Sequence, residues 1–326
     1  MNKSIKYILV LLAIIVIAVA VSQFLRKEKS NVKVGVVYLM EHPSITEGLD
    51  GLKSQLDSIE NETGLKFDVT YQNAFGEMIN IEKIVKSFKD NNVDVILALT
   101  TPCAKVAQNQ FKDKPIIFVG VTDPVADKLV DNLNFGKGNI TGTTSKVPST
   151  KILQFALELF PEIKKVGVLY STGENNSIAI LTQLESDIRT FNLPIELVKK
   201  GVTATVDIQK IAESTMNETD ALFVINDNGI VSSVNILIKA TDNAHKPIFA
   251  SDIQSVKQGA LFTFGLNYKD EGIAAANILK EIIIENKKPS EIPVFVNQKD
   301  YFVVNRKLFK EFKVDSLKVS NAIIVE

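Results

Sequence analysis

The sequence predicts an α/β chain of two similar parallel-sheet lobes, and three observations carry that reading. From Asn31 onward, short β-branched runs alternate with amphipathic helical patterns, the signature of βαβ units and parallel sheets. Val34-Gly35-Val36-Val37-Tyr38 is then echoed, 132 residues later, by Val166-Gly167-Val168-Leu169-Tyr170. The run Val93–Thr100 is echoed, 126 residues later, by Thr219–Asn226, so the two offsets agree to within six residues. A chain of 326 residues with 45% apolar content is long enough for two domains with sizeable cores.

The elements follow in order. Val32–Leu39 is an apolar run too short for a helix and reads as a buried strand. Ile45–Glu60 carries Ile45, Leu49, Leu52, Leu56 and Ile59 at steps of three and four, an amphipathic helix. Lys66–Tyr71 alternates as a strand, Ile79–Asn91 is helical, Val93–Leu99 a strand, Pro102–Phe111 a helix and Pro115–Val121 a strand. In the second repeat, Ile178–Phe191 and Val206–Met216 are the helices and Ile195–Lys199 is the strand between them. The C-terminal part adds strands at Pro247–Ala250, Ala260–Phe264, Pro293–Val296 and Tyr301–Val304, with helices at Asp270–Glu285 and Arg306–Phe312. A long helix and more strands after two finished repeats predict a chain that crosses between lobes three times. The crossings are expected near Ser145–Pro148, Gly265–Tyr268 and Ser290–Pro293, the last flanked by prolines. The expected division is 32–145 plus 267–290 for the first lobe and 146–266 plus 291–326 for the second.

Residues 1–30 stand apart from this pattern. Lys3 and Lys6 precede a strictly apolar run from Tyr7 to Val21, which polar and basic residues close at Arg26-Lys27. This is an N-terminal hydrophobic helix, either an uncleaved membrane anchor or a cleaved signal peptide ending near Ala18-Val19-Ala20. In both cases the body after Asn31 is exported. It is expected at the cell membrane on the extracytoplasmic side, or secreted if cleavage occurs.

Composition removes several function classes. Net charge is −1, and only Arg26, Arg189 and Arg306 are arginines, which argues against a nucleic-acid partner. Cys103 is the only cysteine and His42 and His245 the only histidines, so the usual metal sites are out and no cofactor is expected. No G-x-S-x-G elbow or Walker A loop occurs, and Gly136-Lys137-Gly138 lacks the third glycine of a dinucleotide fingerprint. Cys103 has no paired histidine motif and reads as inert packing. The chain is therefore not expected to be an enzyme.

Ligands of open parallel sheets bind beyond the carboxyl ends of the strands. That rule selects Met40–Thr46, Thr100–Cys103, Thr122–Pro124, Ser171–Ser177, Asn226–Gly229 and Ser251–Asp252, loops rich in hydrogen-bonding side chains and poor in acid–base groups. Thr100-Thr101-Pro102 reads as a helix start, an ordinary cap or an anion seat. Thr122-Asp123-Pro124 has the same two readings.

These loops resemble a known family, the type I periplasmic-binding-protein-like substrate-binding proteins of ABC transporters, in particular the tryptophan/tyrosine-type branch. The resemblance rests on His42-Pro43-Ser44, Thr101-Pro102, Thr122-Asp123-Pro124-Val125, Asn139-Ile140-Thr141-Gly142 and Leu169-Tyr170-Ser171 with Glu174-Asn175-Asn176-Ser177. Asp227-Asn228 and the Gly259–Gly272 region complete it. It implies two Rossmann-like lobes joined by three crossovers that close on a small solute. The implied partners are an ABC permease and separate ATPase subunits, and the alternative is a membrane-tethered sensor of the same fold. Thr101, Thr122 and Asp123, with His42 and Ser44, are then expected to bind from the first lobe. Asn175, Asn176, Ser177, Asp227 and Asp252 are expected to bind from the second. An α-amino acid suits such a cleft. Its carboxylate would meet the helix starts at Thr101 and Thr122, and its ammonium would meet Asp227, or else Asp252. Phe75 and Tyr268, near the loops, would accompany an aromatic side chain. One departure from the family is the absence of a lipid-modified cysteine after the apolar run, which implies a helix tether instead. The other is Cys103, where a small residue is more usual.

Overall fold

The first repeat folds as a wound parallel sheet because its strands are apolar on both faces and helices must cover each. In the computed structural model, which describes residues 31–314 and 319–326, it runs β1 (Asn31–Tyr38), α1 (Pro43–Thr63), β2 (Lys66–Asn73), α2 (Met78–Asp90), β3 (Val95–Leu99), α3 (Thr101–Gln110), β4 (Ile116–Val121) and β5 (Ile140–Thr144). The strands are parallel in the order β2-β1-β3-β4-β5. Ile81, Val85 and Phe88 of α2 and Ala104 of α3 cover one face, and Leu49, Leu52 and Leu56 of α1 cover the other. The hydrophobic N-terminal helix and the membrane tether expected from the sequence lie outside the described residues. Among the described residues, no helix is long and apolar enough to cross a membrane.

The chain then enters the second lobe through α4 (Ser149–Leu159) and repeats the same winding: β6 (Lys165–Ser171), α5 (Asn175–Thr190), β7 (Glu196–Val202), α6 (Ile208–Met216), β8 (Ala221–Val224), α7 (Asn228–Ser232), α8 (Val234–Ala244) and β9 (Ile248–Ala250). The order β7-β6-β8-β9 reproduces β2-β1-β3-β4, so the echoed segments occupy the same places in two like sheets. After α9 (Ile253–Gln258) and β10 (Phe262–Leu266), the long helix α10 (Tyr268–Ile283) returns to the first lobe. It starts two residues before the sequence pattern suggests, because the Asn267 side chain accepts the Lys269 N–H and caps it there.

One boundary is corrected. The segment 291–296 was expected in the second lobe, but β11 (Phe295–Val296) pairs in parallel with β5, Phe295 opposite Thr143. The last crossing therefore follows Val296, and only then do β12 (Asp300–Asn305), α11 (Arg306–Glu311) and β13 (Ile323–Val325) join β10 in a small three-stranded sheet. Leu261 N–H donates to the Ile248 carbonyl at 2.7 Å and sets that sheet beside β9. Phe155 of α4 meets the rings of Phe262, Phe264 and Phe302 edge-on at 5.0–5.4 Å, which fastens the entering helix to the returning strands.

Helices α1 and α10 touch backbone to backbone. A Cβ on Gly272 would lie 1.9 Å from the Gly48 carbonyl oxygen, and one on Gly51 would lie 2.2 Å from that of Lys269. This crossing carries the start of α10, and hence Tyr268 and Glu271, to the carboxyl ends of the first sheet. Gly272→Ala should therefore destabilise the protein by at least about 2 kcal/mol, since the overlap is with backbone and only helix displacement relieves it. Urea unfolding monitored by far-UV circular dichroism checks this, and a loss under about 0.5 kcal/mol would mean that the helices slide apart freely.

Candidate functional site

In a sheet wound 2-1-3-4, the strand order reverses between the first and third strands, and a crevice opens at their carboxyl ends. Here the β1/β3 crevice of one lobe faces the β6/β8 crevice of the other. Between the walls lies about 480 Å³ of space, counting the part open to solvent. His42, Ser44, Thr100, Thr101, Gly120, Thr122, Tyr268 and Glu271 line it from the first lobe, and Asn176, Asn226 and Asn228 from the second. Ile45, Gly48, Leu99 and Val119 supply its apolar surface.

Each side chain is placed by the turn that ends its strand. His42 precedes Pro43 at the start of α1 in extended backbone and is buried. Burial pushes its imidazole pKa down, against the opposing pulls of Asp252 and the nearby Asn228 side chain, and neither ring nitrogen has a partner in hydrogen-bond geometry. Thr100 is the N-cap residue of α3, with φ +79°, a left-handed conformation that a β-branched residue adopts only under constraint. Its Oγ1 is buried and unpartnered. The Asn176 Nδ2 donates to Glu174 Oε2 and to the Asn226 carbonyl, both at 3.3 Å, while its Oδ1 has no partner.

Among the described residues, three side-chain bonds cross the cleft and join its walls. Ser44 Oγ donates to Asp252 Oδ1 at 3.2 Å, Tyr268 Oη donates to Asn226 Oδ1 at 3.1 Å, and Asn226 Nδ2 donates to Thr122 Oγ1 at 3.5 Å.

The expected site residues separate into two groups. His42, Ser44, Thr101, Thr122 and Asn176 line the cavity. Asp227 does not, and its assignment as the ammonium contact is corrected. Its Oδ2 accepts the Ser171 N–H at 2.6 Å and Ser177 Oγ at 2.7 Å, and its Oδ1 accepts Ser171 Oγ at 2.7 Å and the Ile230 N–H at 3.0 Å. The group is fully buried, with its donors drawn from within its own lobe. Ser177 is one of those donors and stands behind the wall as well. Asp252 caps α9 through the Ser255 N–H at 2.8 Å and takes Ser44 across the cleft, so it serves closure. Asp123 turns inward on itself, accepting the Val125 and Ala126 N–H groups at 3.2 and 2.9 Å. Asn175 is exposed on the first turn of α5, and Phe75 is exposed at the lobe's edge, away from the cavity. Cys103 is buried, and burial pushes its thiol up to about 12, as an inert packing residue requires.

Sequence reasoning did not assign Thr100, Asn226, Asn228, Glu271 or, behind them, Glu174 to the site, and it named Tyr268 only as a companion of an aromatic side chain. Glu174 organises the second wall: it accepts Asn228 Nδ2 at 2.6 Å, Asn176 Nδ2 at 3.3 Å and the Asn228 and Gly229 N–H groups at 3.4 and 3.3 Å. Burial, and then the charge of Asp227, push it up to about 7. Glu271 accepts Ser145 Oγ at 2.7 Å and Thr143 Oγ1 at 3.3 Å, and burial raises it to about 7 as well. The available signal for Glu271 was its place three residues after Tyr268, on the same helix face, but a glutamate in a first turn reads as a dipole partner.

Comparison with known proteins follows this geometry. A family model described as "ABC transporter substrate binding protein" matches residues 33–325. A "Tyrosine-binding protein" of Clostridioides difficile (strain R20291) is 32% identical over 293 residues, covering 90% of this chain and 84% of the relative. Among solved structures, an ABC domain from Streptococcus pneumonia in complex with L-Trp superposes with TM-score 0.85 at 26% identity, covering 91% of this chain and all (100%) of that one. A ligand-free, open substrate-binding protein with adhesive properties from Clostridium difficile superposes with TM-score 0.67 at 29% identity, covering 90% and 99%. The chain is thus nearer in shape to the L-Trp complex than to the open form, although its sequence is slightly closer to the latter. With its wound lobes, facing crevices and match along nearly the whole body, the chain belongs to the ABC transporter substrate-binding protein family.

Proposed function

We propose that the chain is the extracytoplasmic solute-binding component of an ABC importer and that it closes on a free aromatic α-amino acid. One observation carries the reading: four buried polar atoms, His42 Nδ1 and Nε2, Thr100 Oγ1 and Asn176 Oδ1, lack protein partners on residues that line one cavity. Buried polar atoms are nearly always satisfied, so four around one space are matched by a ligand's own polar groups. The tyrosine-binding relative and the L-Trp complex support the ligand class.

The walls fit a zwitterion in one orientation. On the first lobe, the N-terminal turns of α1 at Ser44 and α3 at Thr101 present N–H groups and positive dipole ends, which suit a carboxylate. On the second, the Glu174–Asp227 carboxyl pair stands behind Asn176, with no lysine or arginine among the described lining residues, which suits an ammonium. Asn176 Oδ1 is the direct acceptor. The side chain then lies among Leu99, Val119 and Tyr268. Residues 1–30 tether this body to the membrane, and the bound solute is passed to a permease driven by separate ATPase subunits.

Calorimetry with L-tryptophan and L-tyrosine tests the reading: both should bind, and N-acetyl-L-tryptophan, which has no ammonium, should not. Binding of the acetylated ligand with unchanged affinity would remove the ammonium from the model. Asn176→Leu should weaken binding by about 1–3 kcal/mol, the usual cost of removing one partner of a buried polar contact.

A pH dependence follows as well. Burial, and then the charge of Asp227, push Glu174 up to about 7, so the free protein carries a proton there in the neutral range more readily than an ordinary glutamate. An ammonium placed before Glu174 favours its ionised form, so binding should release a proton, and affinity should rise as pH goes from 6 to 8. Titrations in buffers of different ionisation enthalpy at pH 7 will report that release. Identical heats in all buffers would separate the ligand from Glu174.

A further inference from the structure

A second cavity adjoins the first between the lobes. It holds about 960 Å³, counting the part open to solvent. Thr122 and Asp123 line it from the first lobe, residues 146–148 of the first crossing line it next, and α5 lines it from the second lobe. Two residues line both cavities, Thr122 and Asn226.

Sheet order sets the direction from one cavity to the other. In the first lobe β3, β4 and β5 lie side by side in that order. The first cavity takes Leu99 from the end of β3 and Val119 from β4. The second takes Lys146, two residues past the end of β5, and Thr122, directly after β4, stands between them. In the binding mode proposed above, the solute's side chain lies among Leu99, Val119 and Tyr268. Continued along the row of strand ends, that direction meets Thr122 and Asn226 and then the second cavity.

The Asn226 amide is the wall between the two. Its Oδ1 accepts Tyr268 Oη at 3.1 Å, and its Nδ2 donates to Thr122 Oγ1 at 3.5 Å, so one side chain bridges α10 and the end of β4. Asn176 Nδ2 donates to the Asn226 carbonyl at 3.3 Å and steadies its backbone. The tie to Thr122 is long for a hydrogen bond, so the wall rests chiefly on the amide's bulk and on Tyr268.

Beyond the wall the surroundings suit an uncharged group. Val147, Pro148, Ala179, Ile180 and Leu184 supply apolar surface. The two carboxylates there are already engaged by their own neighbours. Asp123 accepts the Val125 and Ala126 N–H groups, and Asp187 accepts Thr150 Oγ1 and, at 2.7 Å, Gln183 Nε2. Lys146 is exposed to solvent. An apolar occupant therefore strands no charge.

We infer that Asn226 is a specificity-determining residue. By bridging Tyr268 and Thr122 it ends the side-chain pocket and limits the solute to an amino acid with a single aromatic ring system; without it the pocket runs on into the second cavity. The inference rests on the amino-acid reading above.

The probe is O-benzyl-L-tyrosine, which keeps the zwitterion of L-tyrosine and adds an apolar ring at the far end of its side chain. Calorimetry on the full-length protein should show it binding at least about tenfold more weakly than L-tyrosine, because the added ring meets the wall. Asn226→Ala should reverse the order. L-tyrosine should lose about tenfold with the two cross-cleft bonds gone, while O-benzyl-L-tyrosine should gain at least about tenfold. Adding Ala179→Trp, which fills the second cavity from the exposed face of α5, should remove that gain and leave L-tyrosine as in the single variant. Thr122→Ala, which trims the other half of the wall, should shift both ligands the same way and decides the matter if Asn226→Ala fails to fold. Equal affinity of the wild type for both ligands overturns the inference, since the wall then limits nothing. So does a variant that gains nothing for the longer ligand, a gain that survives Ala179→Trp, or loss of both ligands in a folded Asn226→Ala. In those cases the amino-acid reading stands. A wild type that binds neither L-tyrosine nor L-tryptophan overturns that reading, and this inference falls with it.

Discussion

A carboxylate with four hydrogen-bond donors and, among the described residues, no ion-pair partner holds the second wall of the cleft in place. Asp227 takes its donors from the end of β6, the first turn of α5 and the first turn of α7, so those three segments converge on one point. An unsatisfied carboxylate in that position would cost several kcal/mol, which makes the convergence obligatory for folding. Glu174 repeats the arrangement one layer nearer the cavity and fixes the Asn176 and Asn228 side chains that face it. Burial, and then the charge of the nearby Asp227, push Glu174 up to about 7. Asp227 thus fixes the position of this wall, and its charge comes second to burial in the protonation of Glu174.

The opposite wall is assembled differently. Its polar groups are the N-terminal turns of α1 and α3, aimed at the cleft by the topology of a parallel sheet, in which every helix following a strand starts at the same edge. Tyr268 and Glu271 reach this wall from a helix that arrives late in the chain and is pressed onto α1 at glycine contacts. Both walls thus combine helix starts with a buried carboxyl, Glu271 in the first and Glu174 behind Asn176 in the second.

The repeat was legible in the sequence because it resides in apolar runs, and burial of parallel strands demands such runs. Of the elements that were not read, α4 and α8 have apolar faces, while β5 is buried through polar side chains. β5, Ile140–Thr144, is fully buried yet carries three threonines, satisfied by the Ile292 carbonyl, by Glu271 and by the Thr122 carbonyl. Those partners lie up to 151 residues away and no local pattern announces them. For the site, the loops were identifiable from strand ends alone, and His42, Ser44, Thr101, Thr122 and Asn176 are where that rule places them. Which side chain in a loop faces solute and which braces its neighbours depends on side-chain direction, and this is where Asp227 was misassigned. An aspartate three residues before Ile230 at a helix start had a structural reading as a cap, and the cap is what the structure shows.

Closure draws on residues of the same cavity lining as the proposed binding. The three bonds that cross the cleft are 3.1–3.5 Å long and involve Ser44, Thr122, Asn226 and Tyr268, all cavity-lining residues, with Asp252 as the fifth partner. Each contributes about 1 kcal/mol net, somewhat more where the carboxylate accepts, against the rotational freedom the lobes lose on closing. Such a sum leaves the closed state only marginally favoured or disfavoured on its own. A solute that satisfied His42 and Thr100 on one lobe and Asn176 on the other, as proposed above, would add contacts available only when both walls are present, and an equilibrium shifts by that differential affinity alone. Opening the lobes would break the cross-cleft bonds and part such a solute from one wall in the same motion.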